Sequence, residues 1–337
     1  MYPLIRPLLF QLDPEHAHAL SLNAVRMAGR NPVTRLVLRA LFDLHDRRLE
    51  VKAFGLTFRN PVGMAAGYDK NAVGVSGLAA LGFGHLELGT VTRFPQVGNP
   101  KPRLHRLPEY EAVVNSMGFP NDGIDVIERR PWQAPGTRAG MNIGKSKETV
   151  IERAADDYVF LLRRVYRRAD YVALNISSPN TLNLRQLQAR EHLEGLLKAI
   201  AAARDALPRR VPLLLKLAPD LTEAEIDDAL AAATANGIDG LIATNTTISR
   251  KGLPSYTVGI QGGVSGRPLT ARANAFVAYL ARQTTLPIVG VGGIMTPDDA
   301  VARLDAGATL IQLYTGLIYA GPGLVRAINK AILKRNG

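Results

Sequence analysis

The chain contains no cysteine. That excludes disulfides, thiolate zinc sites, iron–sulfur clusters and any cysteine nucleophile or base. Its six histidines (16, 18, 45, 85, 105 and 192) form no HxxxH or HExxH pattern, so no metal site is expected. Aromatic residues make up only 6% and do not alternate with the basic ones, which argues against a nucleic-acid-binding face. No apolar run reaches the roughly 18 residues that would cross a bilayer. Arg6, Asp13, Glu15 and His16 interrupt the apolar character of the first residues, so no signal peptide is expected. Acidic residues are also short: 29 against 41 basic ones leave a formal charge of +12, which points to anionic partners such as phosphates, carboxylates or acidic lipid. The arginine pairs 129–130, 163–164 and 167–168 stand in or beside helical patterns and read as solvated helix faces.

What is present is a globular chain of 337 residues, 47% hydrophobic, long enough for a large single core. Residues 1–48 stand apart, with seven Lys/Arg against four Asp/Glu. Pro14 opens a helix after Asp13, and a second follows Asn31-Pro32 with Val33, Leu36, Val37, Ala40 and Leu41 on one face. Two helices packed on the main domain and an amphipathic pair on a membrane surface fit this pattern equally. Leu49–Phe58 alternates around Gly55 like a hairpin. Eight short apolar runs then alternate with helical stretches: 62–66, 85–91, 139–144, 171–176, 212–218, 240–246, 288–293 and 310–315. The helical stretches carry faces such as Tyr158, Leu161, Leu162, Val165 and Leu193, Leu196, Leu197, Ile200. Eight strand–helix units predict a closed (β/α)8 barrel with an N-terminal two-helix extension. A doubly wound sheet would open on a glycine-rich dinucleotide turn, and no GxGxxG follows the first strand.

Barrel chemistry sits where strands end, and polar or glycine residues stand at all eight ends. Gly290–Ile294 and Tyr314-Thr315 occupy the seventh and eighth positions, where barrels hold a phosphate, and Gly262–Gly266 would add backbone amides. Lys216 interrupts a run of leucines at the fifth. It fits a Schiff-base lysine, a fixed cation beside a flavin, or a structural ion pair. Asn115, Asn175, Asn180 and Asn245 offer donor and acceptor pairs that match the edge of a cyclic imide or pyrimidine, and Lys70 fits a carboxylate. Ser177 and Ser178 lie in a loop kinked by Pro179. A capping loop is the plainer reading, because a serine base needs desolvation and a proton relay.

The motifs AAGYDKN (65–71), NSMGFPN (115–121), GMNIGK (140–145), NISSPNT (175–181), LKLAPD (215–220), ATNTT (243–247), GGVSGRPL (262–269), GVGGI (290–294) and LYTG (313–316) together resemble class 2, quinone-dependent dihydroorotate dehydrogenase. The opening FQLDPEHAHAL (10–20) is similar to that branch's helical extension. The resemblance implies FMN as cofactor and (S)-dihydroorotate as substrate, oxidised to orotate in pyrimidine biosynthesis. It places FMN against Ala66, Gly67, Tyr68, Asp69, Lys70, Thr90, Asn142, Asn175, Lys216, Thr244, Gly266, Gly293, Tyr314 and Thr315. It places the substrate against Lys70, Asn115, Ser116, Met117, Gly118, Phe119, Asn175, Asn180, Asn245 and Thr246. Ser178 matches the family's catalytic base, with Phe119 and Thr181 gating a water relay behind it; His18 and Arg106 match polar residues of a quinone tunnel. Residues 1–48 would then be a membrane-associated tunnel extension and 49–337 the FMN barrel. The resemblance implies a peripheral protein on the cytoplasmic side of the cell membrane, with no obligate partner subunit and no nucleic acid. Leu8, Leu9 and Phe10 would lie near the membrane. The class 1 branch uses a cysteine base, which this chain lacks.

Two positions depart from the family pattern. Leu182-Asn183 follow PNT where Pro or Ala then Gly is usual, and Pro120 replaces an asparagine in the substrate loop, removing a backbone donor. Tyr68 for Phe or Leu is a smaller change. A colourless Schiff-base lyase built on Lys216 and a non-catalytic RNA-binding barrel are the competing readings.

Overall fold

The computed structural model describes residues 2–181 and 183–336; Leu182, one of the two departing positions, lies outside the described residues. Three helices come first: α1 (Tyr2–Gln11), α2 (Pro14–Arg30) and α3 (Pro32–Phe42). Two were expected. Pro3 and Pro7 disguise α1, since proline withholds a helix donor. The Asp13 carboxylate accepts the Glu15 and His16 N–H groups at 3.0 Å each, and Pro14 starts α2 with a preset φ. Asn31 ends α2 and caps α3 through the Val33 and Thr34 N–H groups, while Pro32 prevents the two helices from merging. A fourth helix, α4 (Val75–Ala80), receives α2 at very close range. A Cβ on Gly29 would stand 2.3 Å from the Gly77 nitrogen, so both backbones can touch only because both residues are glycine.

The strands follow in chain order: β1 (Val51–Ala53), β2 (Leu56–Phe58), β3 (Val62–Met64), β4 (His85–Val91), β5 (Leu104–Leu107), β6 (Ala112–Asn115), β7 (Arg138–Ile143), β8 (Tyr171–Asn175), β9 (Leu213–Leu217), β10 (Gly240–Ala243), β11 (Gly263–Gly266), β12 (Ile288–Val291) and β13 (Leu310–Leu313). The predicted hairpin is β1–β2, antiparallel, and its Phe58 is wholly buried against the His85 ring. Eight parallel strands close in the order β3-β4-β7-β8-β9-β10-β12-β13, each inside or within a residue of an expected run. The predicted helix faces 158/161/162/165 and 193/196/197/200 are buried on the barrel's outer wall.

A small sheet was not anticipated either. β5, β6 and β11 form a separate antiparallel sheet, with Asn115 opposite Gly263 and Ala112 opposite Gly266. The glycine-rich stretch 262–266, expected as a phosphate turn, is mostly a strand of this sheet. The arginine pairs are also less free than solvated faces. Arg164 pairs with Asp125 (2.8 Å) and Glu128, and Arg168 donates to the carbonyls of Glu128 and Arg130 (2.7 Å) while lying over the Trp132 ring.

Candidate active site

Successive residues of a strand face opposite ways, so each barrel strand sends alternate side chains into the lumen. His85 and Glu87 on β4, Asn142 on β7, Tyr171 and Asn175 on β8, Lys216 on β9 and Gln312 on β13 meet there. The contacts of Glu87 with Lys216 on β9 and Gln312 on β13 join strands that are not neighbours in the sheet, so they cross the interior. Glu87 Oε1 accepts Lys216 Nζ at 2.9 Å and Asn142 Nδ2 at 2.6 Å; Oε2 accepts Gln312 Nε2 at 2.8 Å. Glu87 is fully buried and the Lys216 side chain is 6% exposed. Lys216 is therefore in an ion pair, one of the three options the sequence left open, and it also lines a cavity.

The polar chain climbs toward the strand ends. Thr90 Oγ1 donates to Asn142 Oδ1 (2.6 Å) and accepts from Asn175 Nδ2 (2.9 Å). Asn245 Nδ2 donates to Asn175 Oδ1 (3.2 Å) and Ser177 Oγ (3.1 Å). Asn180 Nδ2 donates to Asn115 Oδ1 at 3.0 Å, so β6 and the serine loop are tied across the barrel mouth. The asparagines read from scattered motifs thus meet at one barrel mouth as two hydrogen-bonded pairs, Asn175 with Asn245 and Asn115 with Asn180.

Above this network lies a cavity of about 480 Å³, within the size range of small-molecule sites. Of the expected site residues it is lined by Ala66, Gly67, Tyr68, Lys70, Thr90, Asn115, Met117, Gly118, Phe119, Asn175, Ser178, Asn180, Lys216, Thr244, Asn245, Thr246, Gly266, Gly293, Tyr314 and Thr315. Four stand behind its wall. Asp69 turns away to accept the Val73 and Gly74 N–H groups ahead of α4. Asn142 is buried under Thr90, Ser116 gives its carbonyl to Asn99 at 2.9 Å, and the Thr181 hydroxyl is buried without a partner among the described residues. Asn180 Oδ1 and Thr246 Oγ1 are likewise buried without partners among the described residues, though their residues line the cavity. At the opposite side, Gly293 (φ +69) lies so close to Thr270 that a Cβ would come within 2.4 Å of its backbone nitrogen. Thr315 Oγ1 donates to Ser265 Oγ (2.8 Å), joining the eighth strand end to β11.

Charge in the cavity is sparse and specific. Lys70 Nζ donates to the Gly67 carbonyl (2.7 Å), and burial pulls its ammonium down to about 8, partly opposed by Glu15. The cavity continues beneath α1, α2 and α3, where Leu9, Phe10, Ala17, Val25 and Leu38 line it. His18 hangs there between the Tyr68 and Tyr314 rings, and burial drives its imidazole down to about 3, so it is neutral. Arg106 lies over the Phe10 ring and donates to the carbonyls of Leu9 (3.0 Å), Phe10 (3.3 Å) and Leu12, closing the end of α1. Arg103 binds Glu15 at 2.6 Å and anchors the start of α2. Glu87 and Gln312 belong to no motif quoted from the sequence. Their signal is one polar residue placed two positions from another lumen-facing residue inside an apolar strand.

A barrel whose mouth joins a polar, cation-bearing chamber to an apolar passage fits the class of cofactor-dependent barrel enzymes. The comparisons narrow it further. The family model described as Dihydroorotate dehydrogenase matches residues 48–335. The "Dihydroorotate dehydrogenase (quinone)" of Acidithiobacillus ferrooxidans is 49% identical over 97% of this chain and 93% of the relative. That of Thiobacillus denitrificans is 50% identical over 97% of each. The solved DHODH of Eimeria tenella in complex with ferulenol superposes with a TM-score of 0.87 at 38% identity, covering 96% of this chain and 91% of that one. The chain belongs to the dihydroorotate dehydrogenase family.

Proposed function

We infer that the chain oxidises (S)-dihydroorotate to orotate, with FMN as first and a quinone as final electron acceptor. The observation that carries this reading is the continuity of one cavity from the asparagine pairs to the apolar passage under α1, α2 and α3. The donor set suits FMN. A lysine ammonium stands at the floor, and Gly293 and Thr315 suit the phosphate end. When bound, FMN supplies the hydride acceptor and relays electrons onward.

The chain's own residues bind, orient and move a proton. Lys70 is assigned to the substrate carboxylate, and Asn115, Asn180, Asn245 and Thr246 to the ring's C=O and N–H groups. Ser178 is assigned the proton at C5. In support, Ser178 is 5% exposed, lines the cavity, and its Oγ accepts only a long 3.3 Å bond from the Asn180 N–H among the described residues. The unpartnered Thr181 hydroxyl and the buried Phe119 fit a relay behind it.

The N-terminal helices are assigned to quinone entry and peripheral membrane contact. Leu4, Leu8, Val33, Leu36 and Leu41 are each more than half exposed, while Leu9 and Phe10 turn inward to the passage. No helix among the described residues is long and apolar enough to cross a membrane. A visible spectrum, recorded anaerobically before and after adding dihydroorotate, tests the core of the reading. A flavin spectrum that bleaches is expected. A flavin that stays oxidised would remove the substrate, and a colourless protein that ignores added FMN would remove the redox chemistry.

A further inference from the structure

Among the described residues Glu87 is the one carboxylate in the lumen network, and it is saturated from three directions. Its donors come from β9 (Lys216 Nζ, 2.9 Å), β7 (Asn142 Nδ2, 2.6 Å) and β13 (Gln312 Nε2, 2.8 Å). Three donors on three strands fix the carboxylate in one orientation. Lys216 is held less completely. An ammonium has three N–H donors; Glu87 takes one, and Lys216 makes no second hydrogen bond among the described residues. The remaining donors belong to a group that lines the cavity floor. The other titratable groups of the lumen are neutral. Burial keeps His85 at about 3 and holds the Tyr171 phenol well above its ordinary value. The Glu87–Lys216 pair therefore sets the charge beneath the cavity.

We propose that Glu87 is a positioning residue of the redox site, which fixes the Lys216 ammonium under the cofactor and so sets how strongly the site favours the reduced, more negative form. This rests on the FMN reading above. Glu87 does not line the cavity; it acts through Lys216. A buried ammonium stripped of its anion is poorly tolerated, so without Glu87 the cation is no longer held at the floor.

The test uses the FMN-loaded full chain in four forms: unaltered, Glu87→Gln, Lys216→Met and the double variant. Each is equilibrated with a reference dye, and the oxidised-to-reduced flavin ratio is read from absorbance. Glu87→Gln is expected to shift the ratio at least about tenfold toward the oxidised form, near 30 mV for a two-electron couple. The double variant is expected to go no further than Lys216→Met alone. An unchanged ratio, a shift toward the reduced form, or a Glu87 effect that adds in full to that of Lys216→Met would overturn the proposal. Should Glu87→Gln fail to fold, Glu87→Asp keeps the charge but withdraws it by one methylene. A smaller shift in the same direction, absent in the Lys216→Met background, is expected, and an unaltered ratio counts against Glu87. Failure of the unaltered protein to hold FMN would sink the cofactor reading instead, so the two failures are distinguishable.

Discussion

Ser178 and Lys70 face one cavity but are separable by experiment. Ser178→Ala removes one hydroxyl that holds little together, since among the described residues its Oγ accepts only a long bond from the Asn180 N–H. FMN content should therefore be unchanged, while flavin reduction by dihydroorotate slows by roughly 10²–10⁴-fold, the usual weight of a general base. Rapid mixing that shows unaltered reduction would remove Ser178 from the chemistry. Lys70 predicts a pH dependence of binding. Its ammonium titrates at about 8 in the free site, so it attracts a carboxylate below that pH and loses the attraction above it. Orotate affinity should be level below pH 8 and weaken by up to about tenfold per pH unit above it. Titration calorimetry on Lys70→Met should give a weaker, flat profile. Both residues were marked in the sequence by motif. Glu87 was not, because a lone carboxylate in an apolar strand becomes meaningful only when Lys216, Asn142 and Gln312 are seen to converge on it from other strands.

Among the elements, the helical extension and the small antiparallel sheet build the cavity on top of the barrel. The eight barrel strands were legible because short apolar runs with polar ends recur at regular intervals. The helix α1 was not, because its prolines argue locally against a helix that tertiary contacts nevertheless hold: Tyr2 donates to the Ile318 carbonyl and Arg6 to that of Tyr319 (3.0 Å). The sheet of β5, β6 and β11 was missed because its third strand lies some 150 residues from the second (Asn115 pairs with Gly263), and nothing local reports such a pairing. The seat of α2 on α4 gives a prediction at this scale. Gly29→Leu must push the backbones apart, since even a Cβ meets Gly77 at 2.3 Å. Flavin reduction by dihydroorotate should survive within about threefold, whereas quinone turnover should fall by about tenfold or more. Equal loss in both half-reactions would make α2 a structural cap only.

For the molecule as a whole, charge and burial predict responses to salt and acid. The formal charge of +12 and the exposed leucines of α1 and α3 should bring the protein to anionic vesicles, with binding that weakens in salt but persists through its apolar part. Co-sedimentation at two ionic strengths checks this, and indifference to lipid charge would refute it. His18 and His85 are held neutral, each at about 3, against an ordinary 6.5. The unfolded chain takes up these protons first as pH falls. Stability should therefore be intact above about pH 6.5 and decline from there toward pH 3, by at most about 1.4 kcal/mol per unit per group. Melting curves of His85→Leu across that window should show a shallower acid slope. The lumen has a consequence for the history of the sequence as well. A barrel core filled with leucine and methionine would hold together at least as well as one filled with Glu87, Lys216, Asn142 and Gln312, because buried ion pairs are often replaceable without loss of stability. Selection for heat resistance alone would erase these residues early. On the reading that they serve the redox site, their presence at the centre of the molecule answers a working requirement, and the lumen is where endurance and activity pull this chain in opposite directions.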